Sequence, residues 1–268
     1  MFAMVNTALA EAIDIRFVVA DSLAATPAAQ QQTIAKLSTY VEQLNGYYRS
    51  SQVNLQAEIV DVSFVAMAKA EAVSVLRDME QEQNGFTGLF DKARQLGADY
   101  TIAIADDLLI NGKPGCGRAL AVNRTLADIA STRKALAVVS FVCGARTLAH
   151  ELGHLMGLNH GFLVNDCAPG KGHNSAITPY ANGYGEGNCD GQAQPGEFGD
   201  IMVGGWMRAV NGNDKSSLPF FSNPRIQDVR CGSKGQCGDP HIGDAARALN
   251  EHAHYYAGHE QRSGKNLP

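Results

Sequence analysis

Residues 150–160 read HELGHLMGLNH, a stretch dense in histidine within an otherwise alanine-rich chain. His150 and His154 are four positions apart, so on an α-helix their side chains lie on one face. Glu151 lies one step round the helix from His150. An apolar face that would pack this helix against a sheet is formed by Leu148, Leu152, Leu155 and Met156. The stretch therefore predicts a helix with one buried face and one face carrying imidazoles and a carboxylate.

The third histidine needs a change of chain direction to join the other two. His160 lies six residues after His154, too far along a straight helix to reach the same point. Gly157 lies between them, and glycine readily adopts the left-handed conformation that ends a helix and turns the chain. We expect this turn to bring His160 back beneath the helix.

Three imidazole nitrogens and a neighbouring carboxylate form a recognisable metal site. Neutral histidines suit Zn2+, and three of them leave a fourth position for water, as in catalytic sites. The sequence therefore predicts one catalytic Zn2+ bound by His150, His154 and His160. Glu151 lies close to this ion without having to bind it, which suits a carboxylate that takes a proton from zinc-bound water.

The pattern HExxHxxGxxH resembles the signature of the metzincin zinc endopeptidases. That family also has a methionine-containing turn beneath the metal, and GDIMVGG (199–205) provides Met202 at the corresponding place. The resemblance implies that Met202 forms a floor under the ligands and is not itself a ligand. Several metzincins have a tyrosine two positions later, where this chain has Gly204. The resemblance therefore implies a site of three histidines and water.

Other segments resemble the bacterial, reprolysin-like branch of the metzincins, which includes peptidyl-Asp metalloendopeptidases. LPFFSNPRI (218–226) is similar to its FSNP segment, CGRALAV (116–122) to its edge strand, and DIRFVVAD (14–21) to its first strand. The resemblance covers nearly the whole chain and implies a protein or peptide substrate.

A cleft beside an edge strand can bind a polypeptide by pairing main chain with main chain. We expect residues 117–122 to form this edge, with Arg118, Ala119 and Leu120 contacting the substrate; a buried strand is an equal alternative. Arg208 follows Met202, where the wall of the pocket past the scissile bond is expected. A cation there would select an acidic side chain, but a solvated surface arginine is the simpler interpretation.

Strand-like and helical segments alternate through the N-terminal half. The strand-like segments are 13–20, 53–65, 98–105, 116–122 and 135–142. The helical segments are 27–48, 69–82 and 87–96. Apolar residues at helical spacing in the first helix are Ile34, Leu37, Val41 and Leu44. This order predicts an α/β fold with a twisted, mostly parallel sheet and helices on its faces, and the resemblance adds an antiparallel edge strand.

The chain is long enough for one catalytic domain spanning residues 1–268. We expect an N-terminal lobe over 1–157 and a smaller, irregular C-terminal lobe over 158–268. The smaller lobe would contain the methionine turn and a terminal helix from about 242 to 256.

Six cysteines without a CxxC pair suit three disulfides better than a cysteine–zinc site, and disulfides imply an oxidising compartment. Free buried thiols are the alternative. Cys231 and Cys237 flank a short Gly-rich loop and are the first expected pair. By chain order the other expected pairs are Cys116–Cys143 and Cys167–Cys189.

Composition argues against several partners. A net charge of −5, a pI near 5.9 and scattered basic residues disfavour nucleic acid. No apolar run is long enough to span a bilayer. The disulfides lead us to expect a secreted protein. Because the N-terminal residues have no signal-peptide pattern, we expect a mature form without its pro-segment. We also expect a monomer. The oxygen-rich stretch NGYGEGNCDG (182–191) is a possible Ca2+ site, although it lacks a full ligand spacing.

Three functions remain open on sequence alone. The first is a secreted zinc endopeptidase, with Glu151 as general base. The second is a non-catalytic binding or adhesion module that retains zinc, which would have little need of a carboxylate at position 151. The third is a zinc amidase or aminopeptidase acting on small substrates, for which a pocket closed at one end is expected.

Overall fold

The computed structural model describes residues 10–67, 70–120, 125–131, 133–161, 167, 177–203, 207 and 216–258. Its strands are Glu11–Ala20 (β1), Leu55–Val65 (β2), Ala70–Glu71 (β3), Tyr100–Ala105 (β4), Leu108–Ile110 (β5), Lys113–Pro114 (β6), Gly117–Ala119 (β7), Leu136–Ser140 (β8), Gly185–Glu186 (β9) and Phe198–Gly199 (β10). Its helices are Pro27–Ser50 (α1), Ala72–Glu80 (α2), Leu89–Leu96 (α3), Leu126–Ile129 (α4), Gly144–Leu155 (α5), Ala245–Glu251 (α6) and Ala253–Tyr256 (α7).

The main sheet has five strands in the order β2-β1-β4-β8-β7. The first four strands are parallel, and β7 pairs antiparallel with β8 at the edge. One apolar cluster on the sheet includes residues of α1 and α5, and a second includes residues of α2 and α3. The predicted α/β fold, with a mostly parallel sheet and an antiparallel edge strand, is confirmed.

Helix α1 braces the part of the sheet against which α5 packs. It begins after Thr26, whose hydroxyl accepts a hydrogen bond of 3.1 Å from the N–H of Ala29, and a proline in its first turn favours this start. Tyr40 donates a hydrogen bond of 2.7 Å to the carbonyl of Phe141, just before α5. Of the apolar residues at helical spacing, Leu37, Val41 and Leu44 are buried, whereas Ile34 is 36% exposed.

Two predicted helices are shorter in the structure because neighbouring segments compete for their ends. The helix expected over 69–82 begins at Ala72, since β3 pairs with β5 immediately before it. The terminal helix expected from 242 to 256 begins at Ala245. Asp244 caps it, because the Asp244 side chain accepts a hydrogen bond from the Arg247 N–H. It is interrupted at His252 before α7 begins.

The cysteines form three disulfides in the expected pairs, Cys116–Cys143, Cys167–Cys189 and Cys231–Cys237. The first of these joins the residue before β7 to the N-cap residue of α5. In the parts of the chain described above, none of the helices has the length and apolar character needed to cross a bilayer. The division into lobes at residue 157 stays a prediction.

Candidate active site

Helix α5 ends in a glycine turn, as the sequence predicts. Gly157 has a φ of +86°. Its N–H donates to the carbonyl of His154 at 3.0 Å, and the N–H of Leu158 donates to the carbonyl of Gly153 at 2.9 Å. These two bonds are the pattern that closes a helix end when a glycine takes the left-handed conformation. The turn redirects the chain towards His160.

The segment after the turn is held by backbone pairing with residues distant in sequence. The N–H of Asn159 donates to Ala181 O at 3.0 Å, and the N–H of Gly183 donates to Asn159 O at 2.8 Å. The Asn159 side chain also accepts a hydrogen bond of 2.9 Å from the His160 N–H. These bonds fix Asn159, the residue before His160, and so position His160.

The three histidines converge on one point. Their Nε2 atoms are separated by 3.1 Å (His150 to His154), 3.0 Å (His154 to His160) and 3.2 Å (His150 to His160). Among the residues that the structure describes, this is the one group of three or more His, Cys, Asp or Glu ligand atoms that lie within 4.8 Å of one another.

Hydrogen bonds made by the Nδ1 atoms of two of these rings show that their Nε2 atoms are unprotonated and direct lone pairs at this point. His150 Nδ1 lies 2.9 Å from Ile201 O, and His154 Nδ1 lies 3.0 Å from Leu158 O. A carbonyl only accepts, so each Nδ1 must carry the proton, and in a neutral ring the Nε2 is then unprotonated. Burial also lowers the pKa of His150, against the effect of its bond to Ile201, and so favours the neutral ring. Two lone pairs facing each other at 3.1 Å are unfavourable unless a cation lies between them.

The donor set fits zinc. Nitrogens bound to Zn2+ at about 2.0–2.1 Å with tetrahedral angles lie about 3.3 Å apart, close to the separations of 3.0–3.2 Å seen here. Carbonyl acceptors on the outer nitrogens are the usual partners of metal-binding histidines, because they fix the ring and its tautomer. His150, His154 and His160 would therefore hold one zinc ion with little rearrangement.

Met202 lies directly against the helix that carries the first two histidines. It is fully buried in a turn in which the N–H of Val203 donates to Asp200 O at 3.2 Å. A Cβ placed on Gly153 would lie only 2.5 Å from the Met202 sulfur. The thioether thus occupies the space that a side chain at position 153 would take, between the two histidines of α5.

Glu151 is 5% exposed and faces the edge strand β7. Burial raises the pKa of its carboxyl to about 8, while a hydrogen bond from the Ala119 backbone and the charge of Arg118 oppose that rise. A zinc ion at the three histidines would favour the ionised carboxylate, which is the form that accepts a proton as a general base.

The residues predicted to bind substrate differ in exposure and in the groups they contact. Arg118 is exposed on β7, and Ala119 is half-buried and lies against Glu151. Leu120 is half-buried and packs on the apolar cluster of α2 and α3. Arg208 and Gly204 lie outside the described residues, as does part of the predicted strand 116–122.

The possible calcium site at residues 182–191 uses its side-chain oxygens in local hydrogen bonds. Asn188, Asp190 and Gln194 are linked by side-chain hydrogen bonds of 2.8–3.0 Å. Nothing in the described residues supports Ca2+ there.

Sequence reasoning missed three residues that support the site. Gly117 and Gly153 give space to Glu151 and Met202, and Asp200 holds the methionine turn through its bond to the Val203 N–H at 3.0 Å. A glycine within a helix or strand pattern signals a close approach, so the two glycines could have been suspected. The role of Asp200 had no such local signal.

Two imidazoles on one helix of an α/β fold converge with a third that follows its glycine turn, and a carboxyl lies beside them; this is the arrangement expected of the metzincin class of metallopeptidases. The sequence model of metallo-peptidase family M12 matches residues 10–202. The chain belongs to this family, which confirms the class indicated by the resemblance.

The chain is also similar to individual proteins. It is 28% identical over 246 residues to the peptidyl-Asp metalloendopeptidase of Pseudomonas aeruginosa, covering 86% of this chain and 37% of that protein. A solved structure described as a chaperone–substrate complex superposes with a TM-score of 0.63 at 18% identity, covering 95% of this chain and 36% of that one; this likeness shows the fold alone. Metalloproteinase-II from Bacteroides fragilis matches with a TM-score of 0.39 at 13% identity over 57% of this chain and 45% of that one.

The chain therefore spans little more than a third of the first two proteins it matches.

Proposed function

We propose that this chain is a secreted, zinc-dependent endopeptidase formed by a single catalytic domain. One observation carries the proposal: three imidazole nitrogens converge within 3.0–3.2 Å of one another, beside a buried carboxyl group. That group belongs to Glu151, which follows His150 on α5. Membership of family M12 supports the reaction class, and peptides or proteins are the substrates that such a family implies.

The zinc ion, when bound, lowers the pKa of a coordinated water and polarises the carbonyl of the scissile peptide bond. His150, His154 and His160 would hold the ion through their Nε2 atoms. Glu151 accepts the proton of the attacking water on its carboxylate and later gives that proton to the leaving amine. The same carboxyl serves first as base and then as acid.

We propose that the edge of the main sheet aligns the substrate. Cys116 O and Leu120 N bond to β8, at 2.7 and 2.8 Å. In an antiparallel pair the intervening odd-numbered residues then direct their backbone groups away from the partner strand. The backbone groups of Gly117 and the carbonyl of Ala119 therefore face away from the sheet, where an extended peptide can pair with them. The Ala119 N–H bonds to Glu151 instead. Arg118 and Leu120 flank these positions.

Three further parts of the proposal concern the compartment, the substrate and the oligomeric state of the enzyme. Three disulfides support export to an oxidising compartment. The name of the Pseudomonas relative makes peptides containing aspartate the first substrates to assay. We also propose that the chain acts as a monomer.

The test is hydrolysis of casein by the purified protein, with and without a chelator, and by Glu151→Gln. We expect the chelator to stop hydrolysis and added zinc to restore it. Glu151→Gln should lose about 10²–10⁴-fold in kcat, the usual contribution of general acid–base catalysis, while still binding zinc. Glu42→Gln makes the same change at an exposed position of α1 and should leave hydrolysis unchanged.

The outcome separates the candidate functions. Hydrolysis that survives in Glu151→Gln would remove the assigned base. Zinc binding without hydrolysis would favour the binding module. Peptides blocked at both ends distinguish the enzymes, because an endopeptidase cleaves them and an aminopeptidase does not.

A further inference from the structure

Gly117, in the edge strand β7, touches the carboxylate that the proposed function uses as base. A Cβ built on Gly117 would lie 2.7 Å from Glu151 Oε1 and 2.8 Å from Glu151 Cγ. It would also lie 2.8 Å from Thr147 Cγ2, one turn earlier on α5. Real Cβ atoms do not approach other atoms this closely, so any side chain at position 117 must displace one of these groups.

The strand also provides the hydrogen bond that orients this carboxylate. The backbone of Ala119 bonds to Glu151, and Ala119 lies on the same side of β7 as Gly117 because side chains alternate along a strand. Glu151 is thus held from two directions, by contact with Gly117 and by a hydrogen bond from Ala119.

A covalent link fixes the distance between strand and helix. Cys116, the residue before Gly117, is bonded to Cys143, which caps the start of α5. The two Cα atoms are 5.5 Å apart. The link resists a retreat of the helix from the strand, so a side chain at position 117 is expected to displace Glu151.

We propose that Gly117 is a positioning residue: its missing side chain allows the Glu151 carboxylate to lie against β7 and accept the Ala119 N–H, in the place from which it acts on the attacking water. This inference rests on the proposed function, because it assigns to Gly117 an effect exerted through Glu151. Gly117 itself binds neither zinc nor the reacting atoms through a side chain.

Gly117→Ala is the direct test. A displacement of about 1 Å at a catalytic group costs on the order of 10²-fold in rate, so we expect kcat to fall by about that factor while KM changes little. Zinc content should stay at one ion per chain, because the three atoms nearest to the new Cβ belong to Glu151 and Thr147 and not to a histidine ring. Gly46→Ala, where the new Cβ meets only Arg49 Nη2 at 3.9 Å, is the control and should retain full kcat.

A double variant separates positioning from crowding. Thr147→Ser removes the methyl group that the new Cβ would meet, and leaves the contact with Glu151 unchanged. Gly117→Ala/Thr147→Ser should therefore fold at least as well as Gly117→Ala and keep its low kcat. Recovery of kcat in the double variant would overturn the inference, because crowding of helix and strand would then explain the loss.

A crystal structure of zinc-loaded Gly117→Ala gives a result that does not depend on activity. We expect Glu151 to have left the Ala119 N–H; a carboxylate still bonded there would overturn the inference. Wild-type protein that hydrolyses nothing would refute the proposed function, whereas active wild-type protein with an equally active Gly117→Ala variant would refute only the role of Gly117.

Discussion

Gly153 shows how much of the site depends on one absent side chain. It lies on α5 between His150 and His154, and its Cα faces the Met202 sulfur. Gly153→Ala would force the methionine turn away from the helix, and the cost of such overpacking is about 1–3 kcal/mol. Because the turn also carries Ile201, whose carbonyl fixes His150, zinc affinity should fall with stability. Urea unfolding and zinc titration would measure the two effects.

Gly46→Ala in α1 is the control for Gly153→Ala, since it too is a glycine in the interior of a helix. Alanine there meets open space and should raise the free energy of unfolding by about 0.5–1 kcal/mol, the ordinary gain in a helix. Equal stabilisation by Gly153→Ala would show that Met202 does not occupy the space seen here.

The two glycines of the histidine motif differ in how far the sequence reveals them. Gly157 acts locally, by ending a helix and turning the chain, so its spacing from His154 and His160 was enough to predict it. Gly153 acts on Met202, which is distant along the chain. Its place inside a helix pattern signals a close approach, but nothing local identifies the residue that approaches. The histidines and Glu151 were predictable because they act locally, whereas the contacts made by their supporting residues were not.

Between elements, the bond from Cys116 to Cys143 joins the edge strand to the helix of the site. It closes a loop with a sequence separation of 27, for which the chain-entropy account gives about 3–4 kcal/mol of stability. Replacing both cysteines with alanine should lower the free energy of unfolding by up to that amount. It should also lower kcat, since β7 is then free to move away from Glu151.

The pair Cys231 and Cys237 provides a comparison at the same scale. Its sequence separation is 6, so its removal should cost about 2 kcal/mol, and it should leave kcat unchanged because neither cysteine contacts α5 or β7. A double alanine variant at 116 and 143 with normal kcat would contradict the expected role of that bond.

Elements were predictable where periodicity is strong and uncertain where tertiary contacts decide their ends. The buried strands β1 and β4 and helix α1 follow from their patterns. The start of α2 could not be predicted, because residues 70 and 71 pair with β5 instead of joining the helix. The break at His252 likewise follows a hydrogen bond of its ring to Ala248 O at 2.9 Å, which no periodicity announces.

At the scale of the whole molecule, Asp200 connects segments that are far apart in sequence. Its carboxylate accepts from the N–H of Val203 at 3.0 Å and of Ser222 at 2.9 Å. Ser222 in turn donates to Asn182 O at 2.8 Å and accepts from the N–H of Ala245 at 3.0 Å. The methionine turn, the FSNP segment and the start of α6 thus share one buried carboxyl.

This carboxyl predicts a pH dependence of stability. Burial raises the pKa of Asp200 to about 7, against the opposing bonds from backbone N–H groups. The folded protein therefore holds this proton more tightly than the unfolded chain, in which the pKa of aspartate is about 3.9. The stability that Asp200 contributes is fully present below that value and is lost as pH rises through about 7.

Asp200→Asn tests this dependence, because asparagine resembles the protonated carboxyl and does not titrate. The variant should be more destabilised relative to the wild type at pH 5 than at pH 8, by on the order of 2 kcal/mol. Zinc-loaded protein and urea unfolding at both pH values make the comparison, and titration of the histidines cancels in the difference. Asp91→Asn, at an exposed position of α3, should show the same small effect at both pH values. A penalty for Asp200→Asn that is equal at pH 5 and pH 8 would mean that Asp200 stays ionised throughout, with its backbone donors outweighing the effect of burial.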